Sequence, residues 1–305
     1  MKKLKIVALL GLSLLLLSSC SFPGLASNDS EDTIGITGGI TSEAQILASL
    51  ASGMIKHYTD LDTTIINNLA TTTINHQAMM NNDASISAAR YTGTDLTTTL
   101  GLPAEKDPKK AFNTVQTEFE KRYHQTWFTS YGFDNTYVFL VRKDTAEKYN
   151  LKKVSDLKKH AGELKAGVDT AWITREGDGY DGFKNAYGFE FSSILPMQIG
   201  LVYDAVDAGK MDIVLGYSTD GRIASYDLVM LEDDLHFFPP YDAAAVATDE
   251  VLKKNPKIRT ALKRLEGTIT TKEMQKLNYR ADNDLVEPSV VAEDFLKQHN
   301  YFEKE

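Results

Sequence analysis

Cysteine is almost missing from this chain: Cys20 is the only one in 305 residues. No internal disulfide can form, and a cysteine-based zinc site is excluded. Positive charge is also short, with Lys+Arg 33 against Asp+Glu 42 and a net charge of -9. A nucleic-acid binder must neutralise phosphate with a basic surplus, so no nucleic-acid partner is expected. Long apolar runs are lacking as well. The longest, Ile6 to Leu17, is too short to span a bilayer comfortably. What remains is ordinary: hydrophobic residues make up 42% and charged residues 25%, which suits a globular protein of two domains or one large one. Disorder, collagen and a polytopic membrane protein are excluded.

Catalytic signatures are equally scarce. Gly177 to Gly182 fits a GxGxxG expression, but Thr174-Arg175-Glu176 before it is not a buried strand, so a polar turn is expected. Gly216-Tyr217-Ser218-Thr219-Asp220-Gly221 resembles a nucleophile elbow with one residue too many, and Ser218 or Thr219 is expected to cap a following helix. The six histidines form neither HExxH nor a close pair. No catalytic residue, metal or cofactor is expected.

The leader has a clear character. Lys2, Lys3 and Lys5 precede the apolar run, and Leu17-Ser18-Ser19-Cys20 looks like the lipobox of bacterial lipoproteins. Residues 1–19 read as a signal peptide. Residues 20–32 read as a lipidated Cys20 and a polar linker, tethering the protein to the outer face of a membrane.

From Thr33 onward, strands alternate with helices, which argues for parallel α/β sheets. Strands are expected near 33–37, 62–67, 84–89, 135–141, 164–168, 211–215, 228–231, 237–238 and 243–247. Helices are expected over 41–58, 71–81, from Pro108 to Tyr123, 179–187 and 199–208, with three more in the tail. The first shows Ile46, Leu47, Leu50, Met54 and Ile55 at helical spacing. Two such blocks argue for two lobes: residues 33–140 with 241–305, and residues 141–240 inserted between them. The tail helices, having no sheet of their own, are expected to pack on the first lobe.

Four of the fourteen tyrosines fall where strands end or the chain crosses between lobes: Tyr91, Tyr137, Tyr217 and Tyr241. Ligands of open α/β sheets bind beyond the carboxyl ends of strands. Four ring faces around one cleft would suit a quaternary ammonium, which has no N–H to donate and is held by ring quadrupoles. The same residues could equally be core or interface tyrosines with satisfied hydroxyls.

The stretches Arg90-Tyr91-Thr92-Gly93-Thr94-Asp95-Leu96, Tyr131 to Tyr137, Met197 to Val206, Tyr217 to Ile223, Phe237-Phe238-Pro239-Pro240-Tyr241 and Glu287 to Val291 are similar to those of osmoprotectant ABC-importer binding lipoproteins, which handle glycine betaine, carnitine and choline. The resemblance implies a two-lobed periplasmic-binding-protein-like fold, with two α/β lobes joined by two hinge crossings. It implies an aromatic cage of Tyr91, Tyr137, Tyr217 and Tyr241, completed by lobe closure. Thr94 would lie beside the cage, its hydroxyl meeting the carboxylate or hydroxyl end of a ligand. Where some relatives carry a glutamine, this chain has Gly39, and backbone N–H groups at the next helix start would take over that contact. The implied partners are a quaternary-ammonium ligand and separate ABC permease and ATPase chains. A receptor of the same fold for a sugar, an amino acid or an ectoine-like zwitterion is the alternative; a secreted enzyme or an adhesin fits less well.

Overall fold

The computed structural model describes residues 33–175 and 177–303. The expected Cys20 anchor and its leader lie outside the described residues. Two five-stranded sheets organise the molecule. The first contains β1 (Thr33–Gly39), β2 (Asp62–Leu69), β3 (Ile86–Tyr91), β4 (Gln125–Trp127) and, much later in the chain, β10 (Ala243–Thr248), in the order β2-β1-β3-β10-β4. The second takes β5 (Tyr137–Arg142), β6 (Lys165–Asp169), β7 (Ser193–Met197), β8 (Ile213–Tyr217) and β9 (Leu228–Met230), in the order β7-β6-β8-β5-β9. The division expected after residue 140 therefore falls inside β5, and the crossing comes before Tyr137.

The helices are α1 (Ser42–Tyr58), α2 (Thr72–Met80), α3 (Pro108–Tyr123), α4 (Lys143–Tyr149), α5 (Tyr180–Tyr187), α6 (Ile199–Asp207), α7 (Pro256–Lys263), α8 (Thr271–Asp282) and α9 (Pro288–Gln298), with shorter turns between them. Among the described residues, no helix is long and apolar enough to cross a membrane. Thr41 caps α1 by accepting the Ala44 N–H at 3.2 Å. The predicted apolar face of α1 is buried, and burial of each large side chain contributes about 1.5–3 kcal/mol. Ile258, Met274, Leu277, Val291 and Phe295 from α7, α8 and α9 join the same core, so the tail packs on the first lobe. The second lobe has its own aromatic core around Phe139, Trp172, Phe183 and Phe191.

The sheets are mixed rather than wholly parallel. β1 and β3 run parallel, as do β6 with β7 and β8. β10 runs antiparallel to β3 and β4, and β5 antiparallel to β8 and β9. The reason is connectivity. A strand that enters a lobe from the seam starts where β3 or β8 ends, so it must run the other way. Tyr137, the first residue of β5, thereby faces Tyr217, the last of β8. Ala243, the first of β10, faces Tyr91, the last of β3.

The two crossing segments are bound together. Asp134 and Asp242 form an antiparallel bridge, and the Tyr241 N–H donates to Asp134 Oδ1 at 2.8 Å. Ser218 is part of this seam and caps no helix. Its hydroxyl donates to the Asp134 carbonyl at 2.8 Å and accepts the Thr136 N–H at 3.1 Å, while the turn Arg222–Ser225 starts from Gly221 with no side-chain cap. The strand expected at Phe237–Phe238 is absent. Both rings are buried in an irregular segment that ends at Pro239 and Pro240, which offer no N–H to a ladder.

Candidate functional site

A cavity of about 400 Å³ opens at the seam. Tyr91, Tyr137, Tyr217 and Tyr241 all line it, together with Thr94. Each ring is fixed by a different piece of backbone. Tyr91 ends β3, next to the fully buried Arg90, whose guanidinium makes a two-pronged ion pair with Asp95 and stands 5.4 Å from the Phe119 ring centroid. That pair pins the helical turn carrying Thr94 to the sheet end. The Tyr137 and Tyr217 rings lie 5.2 Å apart, tilted by 47°. The Tyr217 N–H donates to the buried Tyr203 hydroxyl at 2.7 Å. Gly216 makes that approach possible, because a Cβ there would come within 2.8 Å of Tyr203. Tyr241 is held from the second lobe: its hydroxyl donates to Asp178 Oδ2 at 3.0 Å and accepts from Arg175 Nη2 at 2.6 Å.

Burial raises the phenol pKa of all four tyrosines above the ordinary value. They therefore stay neutral at physiological pH and present ring faces rather than phenolates. Acidic neighbours push in the same direction: Glu43 beside Tyr91, Asp169 beside Tyr137 and Tyr217, and Asp178 beside Tyr241.

Gly39 does not line the cavity. It is buried at the end of β1, where a Cβ would come 2.6 Å from that of Ala44, and its carbonyl accepts from Gln45 Nε2 at 3.3 Å. Thr41, Ser42 and Glu43, the start of α1, reach the cavity in its place. Glu43 brings a carboxylate to that helix end, which disfavours the anionic ligand group expected there.

Sequence reasoning passed over the polar lining. Glu43 is buried and accepts from the Tyr91 hydroxyl at 2.6 Å, Asn135 Nδ2 at 2.8 Å and Asn278 Nδ2 at 3.1 Å. Arg175 stands 6.0 Å from the Tyr137 ring centroid and 5.9 Å from that of Tyr241, and its Nε donates to Asp178 Oδ1 at 2.6 Å. Arg222 pairs with Asp220 and stacks 4.4 Å from the Tyr203 centroid. Across the seam, Gln275 Nε2 donates to the Ser218 carbonyl at 2.7 Å and Asn278 Nδ2 to that of Thr219 at 2.9 Å. Among the described residues, no three His, Cys, Asp or Glu side chains are placed to hold a metal ion. The site has the parts of a binding pocket: ring faces, neutral donors, one arginine near the rings and one buried acid.

Comparison with known proteins bears on this geometry. The family model described as the substrate binding domain of ABC-type glycine betaine transport system matches residues 32–298. The carnitine transport binding protein of Listeria monocytogenes serotype 1/2a is 56% identical over 307 residues, covering 99% of each chain. An ergothioneine transport permease/ergothioneine binding protein of Helicobacter pylori is 34% identical over 73% of this chain and 40% of its own. A crystal structure described as a glycine betaine/carnitine/choline ABC transporter superposes with a TM-score of 0.86 at 53% identity, covering 88% of this chain and 100% of that one.

Proposed function

We propose, from the premise that this chain belongs to the family of substrate-binding domains of ABC-type glycine betaine transport systems, that its cavity captures choline, carnitine and glycine betaine in a cage of Tyr91, Tyr137, Tyr217 and Tyr241. Substrate-binding proteins of ABC importers work outside the cytoplasm beside permease and ATPase subunits, and this chain is one of them. Lipidation at Cys20 would keep it at the membrane face where its permease lies.

The observation that carries the reading is the convergence of four neutral phenol rings on one cavity. A trimethylammonium group cannot be recognised by hydrogen bonds, so ring quadrupoles do the work, at about 2 kcal/mol or more per desolvated ring. Four such rings at about 2 kcal/mol each reach the roughly -8 kcal/mol of micromolar binding. At the other end of the ligand, Thr94 offers a hydroxyl and Arg175 a guanidinium to a carboxylate. The relatives are solute-binding proteins of transporters, and the reading assigns no covalent step.

Rings from both lobes must approach the same methyl groups. The ligand therefore favours the closed arrangement and shifts the open–closed balance by its differential affinity. The permease would read that closed state. A crystal structure with carnitine tests the reading: the ligand nitrogen should lie within about 6 Å of the four ring centroids. A nitrogen held elsewhere would overturn the cage.

A further inference from the structure

Glu43 is a buried carboxylate on the cavity wall whose three hydrogen-bond donors, Tyr91, Asn135 and Asn278, are all neutral. Among the described residues it makes no ion pair. The other lining charges are differently placed. Asp220 is paired with Arg222, Arg175 is paired with Asp178, and Asp282 is exposed and takes the Ser42 hydroxyl. The amide orientations are forced. A carboxylate can only accept, so both asparagines must turn their NH₂ groups toward it. Asn278 spends its second N–H on the Thr219 carbonyl. The start of α1 offsets part of the charge through its dipole. No cation among the described residues supplies the rest, and a buried charge without a cation is costly. Holding Tyr91 and the two amides in place does not require a full negative charge.

We infer that Glu43 is the counter-ion of the bound ammonium, a charge-selecting residue behind the Tyr91 side of the cage that makes the cavity prefer a cationic head over a neutral one of the same shape. The inference rests on the receptor reading above. On that reading the ring faces supply a short-range attraction that fades once the methyl groups leave contact. Glu43 adds an attraction in a water-poor site that depends on the ligand's charge rather than on its fit. Its place in the Tyr91–Asn135–Asn278 network fixes the carboxylate before the ligand arrives, so no reorganisation is needed on binding.

The test pairs each trimethylammonium ligand with its tert-butyl isostere, in which carbon replaces nitrogen: choline with 3,3-dimethylbutan-1-ol, and carnitine with 3-hydroxy-5,5-dimethylhexanoate. Dissociation constants are measured on the purified full-length chain in dodecyl maltoside, by calorimetry for the ammonium ligands and ligand-observed NMR for the isosteres. The wild type and the Glu43→Gln and Glu43→Ala variants are compared, with folding checked by thermal melting. The expected result is at least a tenfold loss for the ammonium ligands in a folded variant, with the isosteres changed less than twofold. Equal loss for both members of a pair, or no loss for either, overturns the inference, since a scaffold residue ignores ligand charge. Failure of both variants to fold assigns Glu43 to the framework and also overturns it. A wild type silent toward choline, carnitine and glycine betaine would instead be a failure of the receptor reading itself.

Discussion

Tyr137 and Tyr217 stand opposite each other across β5 and β8, the first residue of one strand against the last of the other, with ring centroids 5.2 Å apart. This pairing follows from the way the chain enters the second lobe. An entering strand begins where its neighbour ends, so two residues 80 positions apart become the floor of one cavity. Tyr217→Ala should weaken binding of a trimethylammonium ligand at least tenfold, as the loss of about 2 kcal/mol from one desolvated ring requires. Tyr217→Phe should stay within about threefold, because the quadrupole survives. Calorimetric dissociation constants check both.

Arg175 should separate ligands by their far end. Its guanidinium lies near the Tyr137 and Tyr241 rings, and on the proposed reading it would meet the ligand carboxylate. Arg175→Ala is expected to weaken carnitine and glycine betaine about tenfold or more and choline about threefold or less. Competition between choline and carnitine before and after the substitution measures the change.

The Arg90–Asp95 pair is fully buried and carries the turn that presents Thr94. Removing one partner leaves an uncompensated buried charge, which costs about 3–5 kcal/mol. Asp95→Ala should lower the denaturant midpoint accordingly. Replacing both residues together with apolar ones should cost much less than either single change implies. A urea series on the four proteins gives the comparison.

Asp134 gives the crossing a pH signature. Burial raises its carboxyl to about 7, against a backbone N–H from Tyr241 that lowers it, and the neighbouring Asp242 raises it further. The native state therefore keeps a proton that the unfolded chain releases near pH 4. The stability contributed by this group is present at low pH and is lost as pH rises through about 7. Asp134→Asn should remove that fall, so the stability difference between variant and wild type should shift in the variant's favour from pH 4 to pH 8. His76 contributes the opposite slope. Burial, with Arg90 nearby, holds it near 4, so its contribution weakens as pH drops below about 6.5. The difference between Asp134→Asn and wild type isolates the first group from the second.

Much of this was legible in the sequence because periodicity and capping are local. The apolar face of α1 and the Pro108 start of α3 declared themselves, whereas β8 runs to Tyr217, two residues past the end expected at 215. The antiparallel entry of β5 and β10 did not, since strand direction depends on where the chain comes from. β7 was missed because Ser193–Met197 is largely exposed and interrupted by Pro196. Glu43 looked like any acid in the first turn of a helix, where the dipole favours one. Only the packing of Asn135 and Asn278 around it reveals a buried carboxyl group on the cavity wall. Arg175 sat in a stretch that reads as a polar turn, and it became a cavity residue only when Asp178 and Tyr241 closed on it.

A working cage of four tyrosines should hold a quaternary ammonium and discriminate against other solutes. Its most direct test is titration calorimetry of the purified chain against choline, carnitine, glycine betaine, proline and maltose. Micromolar binding confined to the three trimethylammonium compounds is expected. Silence from all three in a folded protein, or binding of maltose or proline in their place, would contradict it.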